Sequence, residues 1–215
     1  MPDVAGQLAA VERYLWDGTG PGDLAFDVGT NTGGYLPQLA ASFSRVVAFE
    51  PATESFTTAA AAWDGDSRVT VLQVAISAHT GTVTLDVCPA PIQSGQLTTP
   101  GMSPELGWGA PIAQRVLGCI TLDEAVNRYG VPDFVKVDTE GHEAQVLQGA
   151  TRLLAGHQPQ WLVEFHSGDL RAECTAILEA AGYTVETVSS PQFPADSYIG
   201  RNYGWLKTWP ASMHP

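Results

Sequence analysis

Positive charge is what this chain has least of. Ten Lys and Arg stand against 23 Asp and Glu, a formal net charge of −13. A surface that negative repels phosphate backbones and anionic lipid, which argues against nucleic-acid and membrane partners. Cysteine is scarce as well: Cys88, Cys119 and Cys174 are widely spaced and form no C-x-x-C pair, so neither a zinc site nor a disulfide framework is indicated. Idle thiols in a reducing compartment are the simplest account. No apolar run reaches the length of a membrane span. The first residues lack a basic segment followed by an apolar one, with Asp3 and Glu12 interrupting. Together these absences predict a cytoplasmic protein. There is no internal repeat and no composition break, so residues 1–215 read as a single domain; oligomeric state leaves no mark. Also missing is G-x-G-x-x-G, the turn on which a dinucleotide's pyrophosphate rests.

With 44% hydrophobic and 15% charged residues, the chain is globular rather than disordered. Its most informative stretch is Leu24 to Pro51. Leu24-Ala25-Phe26 and Val28 read as a strand buried on both faces, and Val46-Val47-Ala48-Phe49 as a second. Between them lie the turn Gly29-Thr30-Asn31-Thr32-Gly33-Gly34 and a helix from about Tyr35 to Phe43. Asp27 ends the first strand and Glu50 the second. In an open α/β sheet, ligands bind beyond the carboxyl ends of the strands, where an acid on the second strand can accept from a ribose diol. Asp27 before the turn disfavours a phosphate and favours a ligand carrying an ammonium and a sulfonium. S-adenosylmethionine has both, and a ribose. The plainer alternative is that the glycines only make a tight turn.

Further along, periodicity predicts an N-terminal amphipathic helix within 1–23, an alanine-rich helix over Thr53–Trp63, and a third strand over Val69–Ile76. Another strand follows at Thr82–Val87. Residues 88–115 lose all periodicity among prolines and glycines and suit a substrate loop, as do 190–203. Leu117–Ile120 reads as a strand, and Thr121 with Glu124 as a capping box. Phe134 to Val137 is a buried strand ending in Asp138, followed by Glu140, His142 and Glu143 on the turn into a helix that runs to about Leu154. So many ionisable groups at a strand tip make a poor core and a good site; the helix dipole accounts well for Glu143, less for Asp138 and His142. Trp161–His166 is a strand with Glu164 and His166 on one side. A helix over Leu170–Ala181 and strands at Tyr183–Val188 and Gly204–Trp209 follow. The alternation predicts an α/β fold: a doubly wound, mostly parallel seven-stranded sheet with one antiparallel strand and helices on both faces.

Several segments together resemble the FkbM family of methyltransferases: Phe26–Gly33, Phe49-Glu50-Pro51, Thr121-Leu122-Asp123, Lys136-Val137-Asp138-Thr139-Glu140-Gly141-His142-Glu143 with Val146-Leu147-x-Gly149-Ala150, Val163–His166 and Asn202–Trp205. The resemblance implies the class I (Rossmann-like) methyltransferase fold and S-adenosylmethionine-dependent methylation of a hydroxyl on a small molecule, often a sugar or secondary metabolite. It implies that Asp27, Gly29 and Gly33, in the turn that includes Asn31, hold the methionine end. Glu50 would hold the ribose, the stretch around Val74–Ser77 with Ala75 and Ile76 the adenine, and Asp138 would lie beside the cofactor. Family members often carry Asn where Gln73 stands, which affects the adenine side. An acceptor hydroxyl needs a base. The candidates are Asp138, His142 and His166, with Glu140 and Glu164 orienting. A metal-independent reaction is ranked ahead of one in which Asp138, Glu164 and His166 converge on a divalent ion. A nicotinamide-dependent oxidoreductase and a non-catalytic cofactor-binding module remain as alternatives.

Overall fold

The computed structural model describes residues 4–87, 95–97, 113–190 and 202–210. Its framework is a seven-stranded sheet in the order β10-β11-β9-β8-β1-β2-β3. The strands are β1 (Gly22–Val28), β2 (Phe43–Phe49), β3 (Val69–Leu72), β8 (Phe134–Val137), β9 (Gln160–Phe165), β10 (Tyr183–Ser189) and β11 (Gly204–Pro210). All run parallel except β11, which is antiparallel to both of its neighbours. The sequence-predicted fold class is the observed one.

The central strands are mostly apolar because both faces are covered, with Asp27 and Lys136 as the buried exceptions. Leu24, Phe26 and Val28 of β1 join Val135, Val137, Trp161 and Val163 in one core layer. That layer packs against α4 (Leu122–Tyr129), α5 (Glu143–Gln148), α6 (Thr151–Gly156) and α7 (Gly168–Ala180). Ala25, Phe134 and Leu162 face the opposite layer with α1 (Val4–Trp16) and α2 (Leu36–Ser42). Among the described residues, no helix is long and apolar enough to cross a membrane.

Three expectations need correction. The strand expected over Val69–Ile76 is two. β3 pairs with β2, the chain turns with Val74 N donating to Leu72 O at 3.1 Å, and Ala75–Ile76 (β4) pairs with β7 (Ala113–Ile120) instead. The helix expected from Glu143 to Leu154 breaks into α5 and α6. At the break, a Cβ on Gly149 would stand 2.2 Å from Ser77 O, so the backbone touches there and no side chain fits. Residues 88–115 are not wholly loop. β6 (Gly95–Leu97) and the start of β7 fall within them and, with β4 and β5 (Gly81–Val87), form a four-stranded sheet of order β4-β7-β5-β6. Most of β7 before Cys119 is exposed or half-buried, so it leaves no apolar alternation in the sequence. The remainder of that expected substrate loop, and 191–201 of the other, lie outside the described residues.

Candidate active site at the strand tips

The parallel register sets Asp27 beside Lys136 on adjacent strands. Both point to the same face, so they meet: Lys136 Nζ lies 3.2 Å from Asp27 Oδ1, and Thr30 Oγ1 donates to Asp27 Oδ2 at 2.6 Å. Lys136 also donates to Gly29 O at 3.1 Å, reaches Asp138 Oδ2 at 3.4 Å and stands 4.9 Å from the centre of the Tyr35 ring. Burial works against its charge, but Asp27, Asp138 and Glu164 prevail and hold the ammonium more firmly protonated than a free lysine. Asp27 is fully buried. Expected at the ligand, it instead braces the turn from below. Sequence reasoning missed this partner, although a lone lysine in the apolar strand Phe134-Val135-Lys136-Val137 was the available signal.

The turn itself is close-packed. Gly29 has φ +76°, and a Cβ on it would lie 1.8 Å from Asp138 O. Its amide donates to Phe49 O at 2.9 Å. Asn31 also has positive φ, 51°, and its amide donates to Glu50 Oε2 at 2.9 Å, while Ala52 N donates to Glu50 Oε1 at 2.8 Å. Glu50 is buried, and burial raises its pKa against the pull of those two amides. Gly33, at φ +89°, serves the turn: its amide donates to Thr30 O at 2.9 Å.

Above this turn opens a cleft with about 50 Å³ of water-accessible space. Of the expected cofactor residues, Gly29, Asn31, Glu50, Ala75, Ile76 and Asp138 line it, along with Phe49 and Val74; Asp27 and Gly33 do not. Ala75 and Ile76 arrive because the chain leaves the large sheet after Leu72.

Asp138 is also one wall of a second group. His166, just past β9, places Nε2 3.2 Å from Glu140 Oε2 and 3.8 Å from both Asp138 Oδ1 and Glu164 Oε1. Its Nδ1 lies 3.4 Å from Glu143 Oε1. Burial favours a neutral ring, but the contact with Glu143 and the charges of Glu140 and Asp138 outweigh it and raise the pKa to about 10. Burial raises Glu140 to about 7, with His166 opposing and Asp138, Glu164 and Glu143 adding. Glu143 is fully buried and accepts from Thr139 N at 3.0 Å and Gly141 N at 2.9 Å, which shapes the loop carrying Glu140. Glu164 accepts from Tyr203 OH and, at 3.0 Å, from Trp205 Nε1. These two aromatics had no role assigned from sequence.

The structure thus brings together Asp138, Glu140, Glu164 and His166 of the expected catalytic set. His142 stands apart, its Nε2 3.0 Å from Ser77 Oγ. Burial, only partly offset by Glu143, lowers its pKa to about 4, so it is neutral at physiological pH.

The family described as the methyltransferase FkbM domain matches residues 27–185. A hexuronic acid methyltransferase, AglP, of Haloferax volcanii is 29% identical over 202 residues, covering 93% of this chain and 78% of that protein. Among solved structures, an FkbM methyltransferase of Methylobacillus flagellatus aligns at TM-score 0.59 and 19% identity over 88% of this chain; the chain spans 44% of that protein. A precorrin-6y C5,15-methyltransferase of Geobacter metallireducens aligns at 0.56 and 12% over 95% of this chain and 88% of its own. A putative methyltransferase of Streptococcus mutans, solved in complex with SAH, aligns at 0.54 and 8%, over 94% of this chain and 97% of its own. These structures share the fold. With its family match spanning the first strand tip to the tenth strand, the chain belongs to the FkbM methyltransferase family.

Proposed function

We propose that the protein is an S-adenosylmethionine-dependent O-methyltransferase that methylates a hydroxyl of a small molecule, a sugar or a secondary metabolite. The observation that carries this reading is that Asp138 belongs to both the cleft and the acid–histidine group. A ligand in the cleft would therefore border the groups that handle a proton.

The lining residues suit the cofactor. Each Glu50 oxygen accepts one amide and keeps a lone pair for a ribose hydroxyl. Gly29 lets a ligand approach bare backbone. Phe49, Val74, Ala75 and Ile76 offer an apolar wall to a flat base. The surplus of carboxylates favours a sulfonium over a phosphate. When bound, the cofactor supplies a methyl group already activated by its sulfonium. The protein's own work is to hold the acceptor oxygen in line, about 3–3.5 Å from that carbon, and to take the hydroxyl proton. Asp138 or Glu140, the acids of this group that line the cleft, receives it. The hexuronic acid methyltransferase relative supports a sugar as acceptor.

Thermal-shift titration tests the reading. S-adenosylhomocysteine should raise the melting temperature and NAD should not, and Glu50→Gln should weaken the homocysteine ligand by about tenfold, the loss of one charge-assisted hydrogen bond. Stabilisation by NAD with none by S-adenosylhomocysteine would overturn it.

A further inference from the structure

We propose that Asp138, Glu140 and His166 form a binding site for one divalent cation of the Mn2+ type, on the acceptor side of the cleft. One ligand atom from each of the three lies within 4.8 Å of the others. Two ligands at right angles on an ion with ~2.1 Å bonds lie about 3 Å apart, and His166 Nε2 and Glu140 Oε2 are already 3.2 Å apart.

Charge and hydrogen bonding point the same way. The group holds the carboxylates of Asp27, Glu143 and Glu164, buried, and of Asp138 and Glu140, half-buried, against the cations of Lys136 and His166 alone, and an ion on Nε2 takes the place of its proton. Such a surplus in a shielded place is costly unless a cation joins it. His166 Nε2 has one site for a hydrogen, yet oxygens from Glu140, Asp138 and Glu164 all face it. A single N–H cannot satisfy three acceptors, whereas a multiply coordinated ion can. The His166 side chain is 6% exposed, and neither its Nδ1 nor Asp138 Oδ1 has an aligned hydrogen bond.

The surroundings have the form of a ligand-orienting shell. Glu143, fixed by two backbone amides, lies behind Nδ1 and so directs Nε2 towards the carboxylates. Glu140 sits at φ 53°, a conformation unfavourable for a residue with a side chain, and that backbone carries its carboxylate to the ring. Glu164, placed in the ion's shell by sequence reasoning, has its oxygens engaged by Tyr203 and Trp205; Glu140 takes its place. One imidazole and two carboxylates, with water completing the shell, suit Mn2+ better than the thiol-preferring or all-oxygen ions.

The ion's chemical role rests on the proposed function, though its binding does not. Bound through its oxygen, the acceptor hydroxyl would lose its proton more readily. That proton passes to a carboxylate oxygen outside the ion's shell, the oxygen forms its bond to the methyl carbon, and the carbon–sulfur pair stays on sulfur.

Purified full chain, stripped with chelator, is titrated with Mn2+ and the free ion read by electron paramagnetic resonance. The expected result is one Mn2+ per chain, with affinity falling at least tenfold in both His166→Gln and Glu140→Gln. His166 does not line the cleft, so His166→Gln should bind S-adenosylhomocysteine within about threefold of wild type, which also reports that it folds. No Mn2+ bound by wild type, or equal binding by folded variants, would overturn the proposal. Mn2+ binding without S-adenosylhomocysteine binding would sink the proposed function and leave the ion site standing; the reverse pattern would sink the ion site alone.

Discussion

At the scale of single residues, a carboxylate's meaning depends on its neighbour. Asp27 and Glu50 look equivalent in sequence, each an acid ending an apolar strand. Alternation separates them: Asp27 turns into the layer beneath the turn and meets Lys136, while Glu50 follows the last residue of its strand and lines the cleft. Strand tips were legible in the residues; which way each tip residue points required the register. Lys136→Met should therefore destabilise the protein by about 3–5 kcal/mol, the cost of stranding a buried charge. Adding Asp27→Asn should restore part of it, and urea titration of the single and double variants measures both. Gly29→Ala should abolish folding or ligand binding, because its Cβ would overlap the Asp138 carbonyl; circular dichroism and ligand titration read the two outcomes. His142 gives a pH signature. Folded, its pKa is about 4; unfolded, the ordinary value is 6.5. Between those values the unfolded chain holds a proton that the folded one refuses, so this contribution to stability is complete above 6.5 and declines as pH falls towards 4. His142→Gln should flatten that decline in denaturation curves recorded with chelator present. Its place beside Ser77 was not readable, because the strand carrying Ser77's neighbours was expected in the other sheet.

At the scale of elements, legibility followed burial. β1, β2 and β8 are mostly apolar and buried and stood out in the sequence, whereas β7 is largely exposed and did not. The interruption between α5 and α6 has a reason outside the helix: Gly149 touches the backbone at Ser77, and the new helix receives its caps from α4. Asp123 accepts from Arg152 N at 2.9 Å, Leu153 N at 3.0 Å and Thr151 Oγ1 at 3.1 Å. The Arg152 and Leu153 amides are among those that the start of α6 leaves unsatisfied. Asp123→Ala should cost about 1–2 kcal/mol, the usual value of a lost cap, in thermal denaturation, with ligand affinity unchanged. Thr121, expected as the cap of α4, does accept from Glu124 N at 3.0 Å, but the Glu124 side chain goes to Arg128 rather than back to the cap.

At the scale of the whole molecule, the alternation of strand and helix was enough to read the large sheet, including its reversed strand. The small sheet was not legible, since it rests on pairing between segments far apart in sequence. The reversed strand also joins the two ends of the described fold. Lys207 on β11 donates to Tyr14 O at 2.6 Å and Asp17 O at 2.7 Å, capping the first helix. Removing residues 204–210 should leave an insoluble product, because β9 and β10 would each lose a hydrogen-bonding partner; the split between soluble and pelleted protein after expression measures this.

β10 bonds to the large sheet only through β11, so this edge of the sheet cannot be completed until residues 204–210 have been made. During synthesis β9 keeps an unpaired edge until then, a template on which a second nascent chain can add a strand. Slow synthesis over the last stretch would lengthen that exposure.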